Sequence, residues 1–236
     1  MKKLVLLALA VLLCTFVFAG DDQPKESKAT DRVQSAADVL NEIQSAPDSG
    51  IPDNILSRSE CVAVVPSMLK GGFIVGAKYG RGLASCRTPK GWSTPAFFMV
   101  EGGSFGFQIG GQSTDLVLIG MNHHAAVDLL KEKVKLGADA AAAAGPIGRD
   151  SQAATTELAN AEFLTYSRSR GLFAGIDLNG DVVHQNKSDT EKFYGHAIPY
   201  ERILAGAVPT PPSARHFITT VNELFRRGRL HEAAKH

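Results

Sequence analysis

The chain has 236 residues, enough for one large domain or two small ones, and its 44% hydrophobic and 21% charged content excludes a disordered or fibrous class. A formal net charge of +1 excludes the broad positive field of a general nucleic-acid binder. The 23 glycines are somewhat many, and they cluster.

The N-terminus, MKKLVLLALAVLLCTFVFAG, places Lys2 and Lys3 before an uncharged apolar run from Leu4 to Phe18, followed by Val17-Phe18-Ala19 as a cleavage signal. This pattern predicts a secretory signal peptide over residues 1–19. An uncleaved anchor is the competing reading, although the run is short for a spanning helix. A lipidated Cys14 is a third, disfavoured by Leu13 where a small residue is usual. Loss of Lys2 and Lys3 takes the formal charge from +1 to −1, so any attraction to anionic lipid must be local. Export permits disulfides, and Cys61 and Cys86 remain. Spacing leaves two outcomes open, a bond between them or two buried free thiols.

Residues 20–29 predict a flexible polar leader. From Thr30 to about Ala46, Val33, Ala36, Ala37, Leu40 and Ile43 share one helical face, with Thr30 as its cap. Pro52 starts a short helix through Arg58. Cys61–Val65 reads as a buried strand, residues 71–82 as an alternating one, and Leu83–Thr88 as another. Thr88–Gly91 is a turn. Two strands follow, 95–101 and 104–109, joined near Gly102-Gly103, and then Asp115–Met121.

The segment from His123 to Lys133 reads as a helix, and the small-residue stretch 137–148 as extended chain. Strands at 162–168 and 171–177 precede Leu178-Asn-Gly-Asp181, which predicts a hairpin turn with 182–184 as the return strand. Ser188 and Glu191 suggest a capping box. A short helix at 199–204 and a longer one ending at Gly228 close the chain, with Arg226 and Arg227 in the last turn. With no long linker, residues 30–229 are expected to form one domain, followed by a tail at 230–236. The fold expected is α+β, a curved antiparallel sheet or barrel-like meander flanked by N- and C-terminal helices.

Gly102-Gly-Ser104-Phe-Gly106 satisfies the G-x-S-x-G pattern of a nucleophile elbow, which would make Ser104 a hydrolase serine. An elbow needs a helix after the serine. Here Phe105, Phe107 and Ile109 alternate with Gly106, Gln108 and Gly110, which is strand periodicity, and two interior glycines each oppose a helix by about 1 kcal/mol. The glycines are better read as sites of close packing on a bent sheet. Asp177-x-Asn179-x-Asp181 resembles the start of a calcium loop, but Val182 stands where its glycine is needed. His123 and His124 are adjacent and diverge on a helix. The expectation is no catalytic residue, no metal and no cofactor.

Several blocks carry a family resemblance: Cys61-Val-Ala-Val-Val-Pro66, Val75-Gly-Ala-Lys-Tyr-Gly-Arg81, Trp92-Ser-Thr-Pro-Ala-Phe-Phe98 and Glu101–Gly111. Lys135–Asp139, Ala144–Arg149 and Tyr166–Gly175 add to it. Together, over about residues 35–205, they resemble the SYLF domain family. The resemblance implies a non-catalytic module that binds lipid, phosphoinositides in eukaryotic members, with yeast members that also bind actin. Actin is not an expected partner of an exported chain, so the expected partner is a lipid or membrane surface in a bacterial periplasm or envelope. The first helix holds Asp31, Arg32, Asp38 and Glu42, and its acidity disfavours anionic lipid there. Within the family blocks, Lys78, Arg81, Arg168 and Arg170 are candidates for a headgroup clamp, unless they pair with internal acids. Phe97, Phe98, Phe105 and Phe107 are candidates for an apolar cavity, unless they are core. An envelope interaction module without a lipid ligand is the second reading, and a Ser104 hydrolase the remote third.

Overall fold

The computed structural model describes residues 25–45, 50–106, 111–148, 160–169 and 172–234. The expected signal peptide, leader and Cys14 lie outside them, as do Phe107 and Arg170. In chain order the elements are α1 (Lys25–Ser45), α2 (Asp53–Arg58), β1 (Cys61–Thr88), β2 (Gly91–Trp92), β3 (Ala96–Gly106) and β4 (Gly111–Gly120). They continue with α3 (His123–Leu130), β5 (Lys133–Lys135), β6 (Ala142–Ala144), β7 (Phe163–Ser169), β8 (Leu172–Gly175) and β9 (Val182–Gln185). The chain closes with α4 (Lys187–Tyr194), α5 (Tyr200–Leu204), a single 3-10 turn (Pro212–Ala214) and α6 (Arg215–Ala233). The fold is α+β, as expected.

β1 organises the rest. Its 28 residues would span about 90 Å if straight. Yet the Cα atoms of Cys61 and Cys86 lie 4.0 Å apart, joined by a disulfide. The strand therefore doubles back, with its tip near Gly71–Gly76, where Gly72 takes φ +152° and packs on Gly76. β3 pairs with the returning arm from Ile74↔Gly106 to Ala84↔Ala96. β4 pairs with the outgoing arm from Gly71↔Gly111 to Cys61↔Gly120, across a bulge between Val65 and Met68 where Ser67 has φ 52°. One hairpin thus sits inside another, where the sequence suggests a simple meander of separate strands.

The nine-stranded sheet runs β5-β9-β3-β1-β4-β7-β6, with β2 on β1 and β8 on β7. Its outermost strands, β5 and β6, are separated by only residues 136–141, within which Leu136 bridges Ala140. That short link holds the two edges near each other, so the sheet curls. The β6–β7 pair is parallel. One face, with Val62, Val64, Leu83, Phe97, Val117 and Ile119, lies under α1 and α6, whose Leu40, Phe217 and Phe225 complete a core. The other face, with Ala63, Val65, Phe98, Leu116, Leu118 and Val183, closes around the inside of the curl.

Several local expectations change. α1 begins at Lys25, before Thr30, because Ala29 is already buried in the core. α3 ends at Leu130, capped at its start by Asn122, and Lys133 belongs to β5. The Asn179-Gly180 turn forms, with Gly180 at φ +88°, but it joins no hairpin: β9 pairs with β3 and β5, while β8 pairs with β7. α4 is capped by Asn186, whose side chain accepts from the Asp189 amide, two residues before the expected Ser188 box. Gly228 does not end α6. It is buried inside the helix because a β-carbon there would stand 2.7 Å from Leu56 Cβ on α2.

Candidate functional site

Toward the tip of the nested hairpins the side chains become exposed. Along the returning arm of β1, the residues facing the helix side are Leu83, Arg81, Tyr79, Ala77 and Val75; Leu83 is buried, and the rest are exposed. Leu69 is 60% exposed and Val75 63%, large values for apolar side chains on paired strands. Leu172 at the start of β8 is exposed as well.

Three of the four expected clamp cations are described, and each meets an acid. Lys78, on the inner face, places Nζ 2.6 Å from Asp181 Oδ2. Gly102, opposite Lys78 in the register, is what admits that carboxylate, since a β-carbon there would collide with it. Arg168 reaches Asp115 at 2.6 Å and also Glu42 of α1. Arg81 donates from Nε to the Tyr79 hydroxyl at 2.7 Å, lies over the Tyr79 ring and stands 3.6 Å from Asp189. Arg32 of α1 joins the same Asp189 at 2.8 Å. The structure therefore spreads Lys78, Arg81 and Arg168 over two faces and four ion pairs. Only Arg81, half exposed, still offers its guanidinium to solvent.

Burial pushes the Asp181 carboxyl above the usual carboxylate range, and Lys78 and Lys70 pull it partly back. A raised folded pKa means that the protonated acid suits the fold better. The buried carboxyl therefore favours folding at low pH, and that contribution is lost as pH rises through the folded value. Lys78→Met removes the main counter-charge. It is expected to cost about 1–2 kcal/mol at neutral pH and progressively less as pH falls and Asp181 protonates, read from urea midpoints across pH.

The phenylalanines separate by strand alternation. Phe97 is fully buried on the helix side, against Phe193 and under the Arg32 guanidinium. Phe98 faces the inside of the curl, where with Ala63, Leu118, Phe163 and Val183 it lines a cavity of about 20 Å³. That is room for about one water and not for an acyl chain. Phe105 lies on β3 opposite Val75, and its side chain, like Phe107, is outside the described residues.

Ser104 pairs with Gly76 inside β3, on extended backbone that continues to Gly106. A strand residue in mid-ladder is not a strand-to-helix turn, so the elbow is not built here. The calcium-like residues are committed to the turn: Asp177 accepts from the Asn179 amide at 2.8 Å, and Asp181 goes to Lys78. Among the described residues, no group of three or more His, Cys, Asp or Glu is placed to hold a metal. The acids that complete the ion pairs, Glu42, Asp181 and Asp189, lie far along the chain from their partners, and no local pattern marks them.

The Ysc84 family model, described as "Las17-binding protein actin regulator", matches residues 101–224. The chain is 34% identical over 214 residues to the SH3 domain-containing YSC84-like protein 1 of Rattus norvegicus, covering 87% of this chain and 62% of that protein. The Homo sapiens protein of the same name is 33% identical over 201 residues, with 82% and 58% covered. LAS seventeen-binding protein 3 of Saccharomyces cerevisiae is 32% identical over 218 residues, with 88% and 45% covered. The chain thus spans about half to three fifths of the length of these relatives. It belongs to the Ysc84 family, the family of the SYLF domain.

Proposed function

We propose that this chain is a non-catalytic lipid-surface-binding module of the bacterial cell envelope, meeting the membrane with the projecting end of its nested hairpins. The observation that carries this reading is the exposure of Leu69 and Val75 there, with the half-exposed Arg81 farther along the same face of the returning arm. Apolar contact would supply most of the binding free energy, since Lys78 and Arg168 already have acid partners. The outer residues of α1 include Asp31, Asp38 and Glu42, which turns that helix away from an anionic surface. Among the described residues no helix is long and apolar enough to cross a membrane. The family model is described as an actin regulator and the yeast relative is named for binding LAS seventeen; an exported chain would not meet actin, and the lipid side of the family is the part carried over.

Co-sedimentation with vesicles tests the reading. Burying Val75 stabilises the bound state by about 1.5 kcal/mol or more, so Val75→Asp is expected to weaken sedimentation about tenfold or more on neutral and anionic vesicles alike. Equal sedimentation of variant and parent, or none by the parent at low salt, would favour an envelope module that binds protein only.

A further inference from the structure

The nested hairpins leave a strand edge open. Asn186 N–H donates to the Phe97 carbonyl at 2.9 Å, and Phe97 N–H donates to Thr190 Oγ1 at 3.3 Å, so both backbone groups of Phe97 point away from β1. Backbone groups alternate along an antiparallel strand, and the β1–β3 register runs without a shift from Ala96 to Gly106. Phe97, Met99, Glu101, Gly103 and Phe105 therefore turn N–H and C=O to the outer side of β3. β9 takes that side only as far as Glu101, opposite Val182. Beyond it Gly103 is exposed, and among the described residues nothing bonds to the outward backbone of Gly103 or Phe105.

The outer side of β5, by contrast, is closed: Asp139 Oδ2 accepts the Lys135 N–H at 2.8 Å, and the Asp139 amide donates to the Lys135 carbonyl at 2.8 Å. Exposed edges are usually blunted by charge, proline or a bulge, and residues 102–106 carry none of these. The open stretch is also self-complementary. A two-fold axis at Ser104 sets Gly103 against Phe105 of a second copy and Phe105 against its Gly103, and each pair exchanges both of its N–H···O bonds. The row through that axis is uncharged, since Ser104 stands beside Gly76. The matching stretch of β4, centred on Gln112, stands beside Lys70, and two lysines brought toward one axis repel. We propose that residues 102–106 of β3 are a self-association edge, pairing antiparallel about Ser104 with the same residues of a second copy of this chain. The pairing continues the sheet from one copy into the next and sets Val75 of both on one face. The contact is small, so it is weak and reversible in solution.

Disulfide trapping tests it with the mature chain, and no vesicle is needed, so the result is independent of the lipid reading. The axis makes residue 104 of the two copies a pair without hydrogen bonds, with Cα atoms about 4.5 Å apart, a separation a disulfide can span. Cys61 and Cys86 are already bonded to each other. Under mild oxidation Ser104→Cys should form a linked dimer on the order of tenfold faster than Gln112→Cys. Gly103→Pro removes an outward N–H where an added β-carbon meets nothing within 4 Å, and in the Ser104→Cys background it should slow linkage by about tenfold. Its thermal melt reports the fold; if it does not fold, the two cysteine positions decide alone. Ser104→Cys linking no faster than Gln112→Cys overturns the proposal, since collision then accounts for the dimer. Gln112→Cys linking faster puts the contact on β4 and overturns it as well. So does a folded proline variant that links as fast as Ser104→Cys alone.

Discussion

Gly82→Ala is expected to destabilise the protein by about 3 kcal/mol or more, lowering its melting temperature by roughly 6–12 °C for a domain of this size. A β-carbon at Gly82 would overlap the Val64 carbonyl oxygen and stand 2.8 Å from Val65 Cγ2 and 2.9 Å from Phe98 Cζ. The oxygen belongs to the neighbouring arm of the same doubled strand, so it cannot rotate away. The arms would have to separate in the middle of the sheet, where Val62, Val64 and Leu83 are fully buried. Gly103→Ala is the matched control, because a β-carbon there meets nothing within 4 Å. It should be neutral or slightly stabilising, since alanine narrows the unfolded ensemble. Thermal melts of the two variants side by side decide the matter. Equal melting temperatures would show that the arms are not in close approach.

The same glycines explain how far the sequence could be read. Alternation located most strand-forming stretches, and Phe105-Gly106 looked like sheet and not like a helix start, which the pairing of Ser104 with Gly76 agrees with. The doubling of β1 is hidden because Gly71-Gly72 opens an alternating run and reads as the start of a strand, whereas Gly72, at φ +152° and packed on Gly76, makes the reversal. Likewise Asn179-Gly180 announces a reversal, but a turn residue does not say which strand its neighbour will pair with. Gly228 looked like a helix end by the ordinary rule for terminal glycines and is instead the point where α2 lies against α6.

The basic residues show a further limit. Lys78, Arg81, Arg168 and Arg170 sit in family blocks, and the first three find acids supplied by distant elements. Charge clusters assembled by tertiary packing leave no mark in local spacing.

Removing the Cys61–Cys86 bond is expected to cost about 3–4 kcal/mol. Of the two outcomes left open by spacing, the bonded one is present, and it closes a loop with a sequence separation of 25. Crosslinking a loop of that size restricts the unfolded chain by about this amount. The bond ties the two arms of β1 at their base, under Ala96, Ile203 and Leu204, and both cysteines are nearly inaccessible. Reductant should therefore act through unfolding: the folded protein would resist it, and the bond would be lost only as denaturant opens the chain. Urea titrations of Cys61→Ala/Cys86→Ala and of the parent, with and without reductant, provide the measurement. The double variant should unfold at a much lower midpoint, and reductant should shift the parent toward it while leaving the variant unmoved. An unchanged midpoint in both would mean that packing alone holds the hairpin closed. It would also remove one physical reason for a chain of this family to depend on an oxidising compartment, where such a bond persists.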